Sequence, residues 1–427
     1  MNNTIYFAAI ALLAAFASPA LAGDYVAHEW GTFTSVQGGD GALLAWHPLR
    51  SSDLPAFVHD WSNAGFHRYG PSLGPKGSIV SLQRMETPVI YFYADKKQTV
   101  DVTVQFPQGF LTEWYPQCDT IGPEYALPTP AGFDPSFFHV QQDSAIRWSP
   151  VTIQPVSEHP HLEVALPVEQ GTSHYFAARA VDSAYLRVNT ETNDASEWEK
   201  FLFYRGVGNF ATHLRATTDA NGVVTLANTG SNNLTHLLVL NVHDGQGTYS
   251  SVESLKPGQG ETLAPAGAAS CKSAGDLCKA VSDYATASLI AEGLFPREAA
   301  AMVATWKDSW FAEDGMRVLY VLPRAWTDAT LPLRLAPAPA NLVRVMVGRA
   351  EIIPPSSVRH LHEELAKVNP GGDGSKDLVL AELKRFGRFA DPAWQLASKG
   401  LAPAAINVSS NLLQSLVVDN AIQGAAN

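Results

Sequence analysis

A period-two alternation of apolar and polar residues runs through the middle of this 427-residue chain. In TVDVTVQF at 99–106, Val100, Val102, Val104 and Phe106 point one way and their neighbours the other, which predicts a half-buried antiparallel strand. The signature recurs in HLEVALP (161–167), SHYFAARAV (173–181), KFLFYRGV (200–207), THLRATT (212–218), GVVTLAN (222–228) and THLLVLNVHD (235–244). DANG at 219–222 falls between two of these and predicts a hairpin turn, because Asn and Gly tolerate positive φ. Strands at this spacing imply a mainly β, multidomain chain built of β-sandwich-like units.

The pattern breaks twice. Over 274–311 it becomes helical: Pro296 follows Phe295 at a first helical position, and Met302, Val303, Trp306 and Trp310 recur at three- and four-residue intervals on one apolar face. Strands resume in MRVLYVLP (316–323), TLPLRL (330–335) and LVRVMVGRAEII (342–353), after which PPSS at 354–357 stops the sheet and opens a helix. These breaks predict an N-terminal β-rich domain (23–195), a β-sandwich with a helical insert (196–353) and a helical C-terminal region (354–427), with NPGGDGSK at 369–376 as a flexible linker.

The first residues read as an export signal. An apolar run, IYFAAIALLAAFASPALA, ends in Ala20-Leu21-Ala22, a small-x-small cleavage pattern that places the mature start at Gly23 and the protein in the periplasm or outside the cell. The run is shorter than the roughly 20 residues of a spanning helix, and no later segment is long enough, so no membrane span is expected after cleavage. Acidic residues exceed basic ones by 12 with no Lys/Arg block, which argues against a nucleic-acid partner. Of three cysteines, Cys271 and Cys278 lie close enough in sequence to close a local disulfide in an oxidising compartment, leaving Cys118 as a buried thiol, a reactive one or an intermolecular link.

The chemistry-bearing candidates are acids embedded in aromatic strands. In HEWGTFTSV (28–36), alternation puts His28, Trp30 and Thr32 on one face and Glu29, Gly31 and Phe33 on the other, so the strand is buried on both faces and Glu29 must be paired or lose its charge. Glu86 in RMETPVIYFY (84–93) is expected on the face of Ile90 and Phe92, and Glu113 in TEWYP (112–116) again adjoins bulky rings. Glu29, Glu86 and Glu113 converging on one pocket would supply general acid and base or nucleophile; alternatively His28, Glu29 and Glu86 would ligate a divalent metal that activates water. The competing reading makes these acids counter-ions of buried arginines such as Arg84, Arg205 and Arg317. GxSxG, HExxH, Walker A and a strand-borne GxGxxG are missing, which disfavours serine hydrolases, zincins, NTPases and dinucleotide enzymes. Ten tryptophans raise a further reading, aromatic stacking on envelope polysaccharide or a small molecule, although most belong in cores. The functional expectation is thus an exported envelope protein acting either as a carboxylate or metal hydrolase or as a non-catalytic carbohydrate-binding, envelope-binding or assembly protein.

Together with EKFLFYRGVGNF (199–210), WFAEDGMRVLYVLPRAWTD (310–328), LVRVMVGRAEII and RFGRFADP (385–392), the three acid-bearing blocks resemble those of exported bacterial proteins of unknown function, over most of residues 27–392. The resemblance carries no catalytic role. It implies only that these glutamates, and the Glu313/Arg317 pair, belong to recurring blocks.

Overall fold

The computed structural model describes residues 23–50, 54–60, 79–122, 143–158, 160–169, 173–189, 196–267, 270–368 and 374–426. The expected signal segment and the first part of the expected 369–376 linker lie outside them.

Eleven strands form the sheet around which everything else packs. Across it run, in order, Lys272–Ser273, Gln246–Leu255, Leu234–His243, Gly315–Leu322, Pro339–Ile353, Gly23–Gly38, Gln83–Ala94, Leu202–Gly208, Gly109–Tyr115 and His59–Asp60, with Leu43–Leu44 added beside Gly23–Gly38. The two central strands, Gly23–Gly38 and Pro339–Ile353, run parallel, and each is antiparallel to its other neighbour. Gly23–Gly38 is buried along nearly its whole length and Pro339–Ile353 from Arg344 onward, as strands flanked by apolar groups on both sides must be.

Each face has its own cover. On one, Tyr25, Ala27, Phe33, Met85 and Ile90 share a core with Val100, Val102, Val104 and Phe106 of a six-stranded sheet, and with Leu214 and Leu226 of a three-stranded one. On the other, Trp30, Val89, Tyr91, Val345 and Val347 pack under the helices Ala274–Ala291 and Pro296–Lys307. The insert's expected apolar stripe is the contact: Met302, Val303, Trp306 and Trp310 are all buried there. The C-terminal helices Pro355–Ala366, Gly374–Arg385, Ala390–Ala397 and Pro403–Ala426 close a third core over Val36, Trp46 and Ile353. The fold is therefore mainly β, with several sheets, a helical insert and a helical C-terminal region.

Local expectations hold where alternation is uninterrupted. DANG makes its hairpin turn, with Gly222 at φ 79° and the Asp219 carboxylate accepting from the N–H groups of Asn221 and Val223. Two expected strands are instead 3-10 helices, Pro160–Ala165 and His174–Arg179. In the second, the buried residues Tyr175 and Ala178 are three apart, the 3-10 repeat, and the Ser173 hydroxyl caps the N–H of Tyr175. The boundary expected at 195/196 falls between the paired strands Tyr185–Asn189 and Ser196–Glu199, and the large sheet draws strands from both sides of it. Cys271 and Cys278 are free thiols, as is buried Cys118, so the local disulfide is not formed. Among the described residues, no helix is long and apolar enough to cross a membrane.

Candidate functional site

Strand pairing decides which candidate acids can meet. Glu29 lies opposite Ile90 and beside Arg344, on the face packed against the six-stranded sheet, whereas His28 faces the helical insert. His28 and Glu29 therefore point to opposite sides of the sheet and cannot share a metal. Glu86 is not on the face of Ile90 and Phe92. The register slips by one residue between Trp30 and Thr32, where Thr87, at φ 48°, and Pro88 together oppose Gly31, and this β-bulge turns Glu86 to the insert side with Thr32. Along that face Glu86 lies four residues from His28, about 13 Å at a strand's rise of about 3.3 Å per residue.

Each acid has its own partners. The Glu29 carboxylate, wholly buried, accepts from Arg344 Nε at 2.5 Å and from the Tyr204 hydroxyl at 2.5 Å. Arg344 spends its other nitrogens on Asp328 at 2.8 Å and the Leu331 carbonyl at 2.6 Å. His28 shares a 2.6 Å hydrogen bond with Glu298, which also accepts from the Tyr93 hydroxyl at 2.7 Å and from the Phe295 N–H at 2.8 Å, where it caps the Pro296–Lys307 helix. This cluster pins the insert to the sheet.

Glu86 and Glu113 share one face, on strands either side of Leu202–Gly208, inside a layer of guanidinium groups. Arg388, on the short turn Gly387–Phe389 of the C-terminal region, donates to Glu86 at 2.7 Å, and Arg84 stands 4.0 Å away. Burial alone would raise the Glu86 pKa, but Arg388, Arg84, Arg349 and Arg205 outweigh it and hold the pKa at about 2. Glu113 accepts from the Thr112 hydroxyl and faces Arg205 across the strand pair. Arg84 is pushed down to about 10, by burial first and then by repulsion from Arg205, against the pull of Glu86. The layer continues through Arg349, which donates to Glu351 at 2.8 Å and to Glu313 at 2.8 Å, and Arg317, which donates to Glu351 at 3.2 Å and to the Glu313 carbonyl at 2.6 Å. Arg388 Nε and Nη2 and Arg349 Nη1 are buried without a hydrogen-bond acceptor. Such orphaned donors ordinarily cost about 1–3 kcal/mol each, more when charged, so these three N–H groups are where the layer would take up a further acceptor.

Two hollows of about 550 and 560 Å³ lie beside this layer, sharing Asp314, Arg385, Phe386 and Phe389 as a common wall. The larger is lined by Arg50, Lys384, Arg385 and Arg388 against Glu313, Asp314 and Asp391, a positive excess in a chain whose net charge is −12. The other contains His243 and Asp314, which with Asp244 form, among the described residues, a trio whose ligand atoms lie within 4.8 Å of one another. Arg385 approaches His243 at 2.6 Å and Asp244 at 3.5 Å, so a cation already stands against that trio.

The partners that define the layer, Arg349 and Arg388, and the partner of Glu29, Arg344, were absent from the candidates drawn from sequence. For Arg344 and Arg349 the signal was present: arginines set among Val and Met in LVRVMVGRAEII are as anomalous as glutamates among aromatics. Most of the described tryptophans belong to cores: Trp30, Trp46, Trp114, Trp148, Trp306, Trp310 and Trp326 are buried, and Trp198 and Trp394 half-buried.

No family model matches the chain, and no curated protein does. Among solved structures it is similar to the mu-homology domain of yeast delta-COP-I, in complex with a Dsl1 WxWxV peptide (TM-score 0.26) and alone (TM-score 0.24), each at 8% identity over 77% of this chain and 96% of that one. Likeness at that level carries no argument about fold or function.

Proposed function

We propose that this protein is a non-catalytic binding or assembly component of the cell envelope, exported by its N-terminal leader, in which the buried acids neutralise arginines and the C-terminal helices frame the binding face. One observation carries the reading: Glu29 and Glu86 lie on opposite faces of the sheet, each buried and committed to a guanidinium. An acid or base catalyst needs a carboxylate that can reach substrate and exchange a proton. A carboxylate held by Arg388 and its neighbours with a pKa of about 2 has neither freedom. The hollows beside the charged layer support a binding role, because concave, partly polar surface of this volume is where ligands seat.

The test uses the purified mature protein and isolated envelope polysaccharide. Saturable co-sedimentation without release of reducing ends is expected, unchanged in the double variant Glu29→Met/Arg344→Met, which removes the pair as a unit. Product release that this variant abolishes without lowering the melting temperature would overturn the reading in favour of a hydrolase.

A further inference from the structure

Glu313 sits where a ligand would. It follows the π-helical turn Asp308–Ala312, its side chain is 41% exposed, and from that position its carboxylate reaches in to Arg349 Nη2 at 2.8 Å and to within 4.0 Å of Arg388 Nε. It is thus a surface acid inserted into a buried cation layer, at the wall of the larger hollow. The guanidinium carbon of Arg388 stands over the rings of Phe389 and Trp46, 5.0 and 6.0 Å from their centroids, and the group is hydrogen-bonded to Glu86 through Nη1 only. Its Nε and Nη2, with Nη1 of the wholly buried Arg349, remain without acceptors. The result is a pair of guanidinium groups over one ring, Phe389, with unsatisfied N–H groups and a half-exposed carboxylate reaching them from the surface.

We propose that this hollow is an oxyanion receptor, in which Arg388 and Arg349 bind a ligand carboxylate or phosphate in the place that Glu313 now occupies. Paired guanidinium groups suit both oxyanions, whose planar or tetrahedral oxygens accept two N–H bonds at once. Glu313 then acts as an internal competitor: it satisfies part of the layer in the empty protein and swings outward when the ligand arrives. The lowering of its own pKa, with Arg349, Arg388 and Arg317 overcoming burial, agrees with strongly positive surroundings. The inference rests on the binding reading above and specifies the chemistry of the ligand.

The competitor role gives substitutions of opposite sign. Titration calorimetry on the full mature protein at fixed ionic strength would use sodium phosphate in one arm and a trigalacturonate in the other, with sodium chloride as control. Glu313→Gln, which removes the competing charge with little change of shape, is expected to bind at least one of them about tenfold more tightly than wild type, a change of about 1.4 kcal/mol. The preferred arm identifies the source as phosphate or carboxylate. Arg388→Met combined with Glu86→Gln, so that neither charge is left buried alone, is expected to lose that binding. The proposal is overturned if Glu313→Gln binds neither anion in the millimolar range, or binds no more tightly than wild type, or if the double variant keeps wild-type affinity. Envelope co-sedimentation that persists alongside such a result would leave the binding-protein reading standing and remove only the oxyanion site.

Discussion

Acid should weaken this protein through Glu86, and the size of the effect follows from its surroundings. In the unfolded chain a glutamate titrates near its ordinary value of 4.5, whereas here four arginines hold it at about 2. A carboxyl whose pKa is depressed on folding contributes stability that is fully present above the unfolded value and is lost as pH falls through the folded one. The window is therefore from about pH 5 down to about pH 2. A shift of roughly 2.5 units, at about 1.4 kcal/mol per unit, corresponds to a contribution on the order of 3 kcal/mol, and the side chain is only 3% exposed, so solvent screening removes little of it. Glu86→Gln abolishes the titration and removes the nearest counter-charge of Arg388 and one of those facing Arg84. Breaking a buried pair from one side costs about 3–5 kcal/mol, consistent with the linkage figure. Urea unfolding of wild type and variant, followed by tryptophan fluorescence at half-unit steps from pH 7 to pH 2, should give stability curves on the order of 3 kcal/mol apart at neutral pH that converge near pH 2. Carboxylates outside the charged layer contribute equally to both proteins, so the gap reports Glu86 together with its coupling to Glu113 and Glu313 through the shared arginines. Curves that stay parallel through the whole range would show that Glu86 is not held ionised by its neighbours, and the description of the charged layer would fail.

Other outcomes can be checked independently. Glu29→Gln should destabilise by about 3–5 kcal/mol, whereas Glu29→Met/Arg344→Met should recover most of that loss in the same urea assay, because the cost lies in stranding one charge rather than in losing the pair. Gly348→Ala should cost about 1–3 kcal/mol, since a Cβ there would stand 2.3 Å from Tyr320 Cζ, and thermal melts would register it. Trp306→Ala should cost about 3–5 kcal/mol by opening the contact between helical insert and sheet. A disulfide-exchange dye should label exposed Cys271 in the native protein and reach Cys118 only after denaturation, because burial both shields that thiol and pushes its pKa up.

What the sequence revealed about this fold was what repeats over short distances. Alternation located Gln98–Phe106 and Leu234–His243, and the three- and four-residue spacing of Met302, Val303, Trp306 and Trp310 located the buried face of the insert. Anomalies within those repeats, acids among aromatics, correctly marked Glu29, Glu86 and Glu113 as buried. Two things were not legible. One was the bulge at Thr87: a single extra residue reverses every subsequent side chain, and alternation carries no warning of it beyond the Thr-Pro step. The other was partnership, because Arg344 and Arg388 reach Glu29 and Glu86 from more than 300 positions away, and only the completed sheet and the docked C-terminal turn bring them near.

The parallel pairing of Gly23–Gly38 with Pro339–Ile353 also bears on how the molecule is made. The hydrogen bond between Glu29 and Arg344 spans 315 residues, so on a ribosome or a translocation channel the leading strand emerges long before its neighbour exists. Until then its edge and its aromatic side chains are open to other chains, and closing so long a loop is a slow step. Biogenesis of this protein should therefore depend on a holdase that shields the early strand, and yields in vivo should fall with loss of that chaperone more steeply than the finished molecule's resistance to heat would suggest.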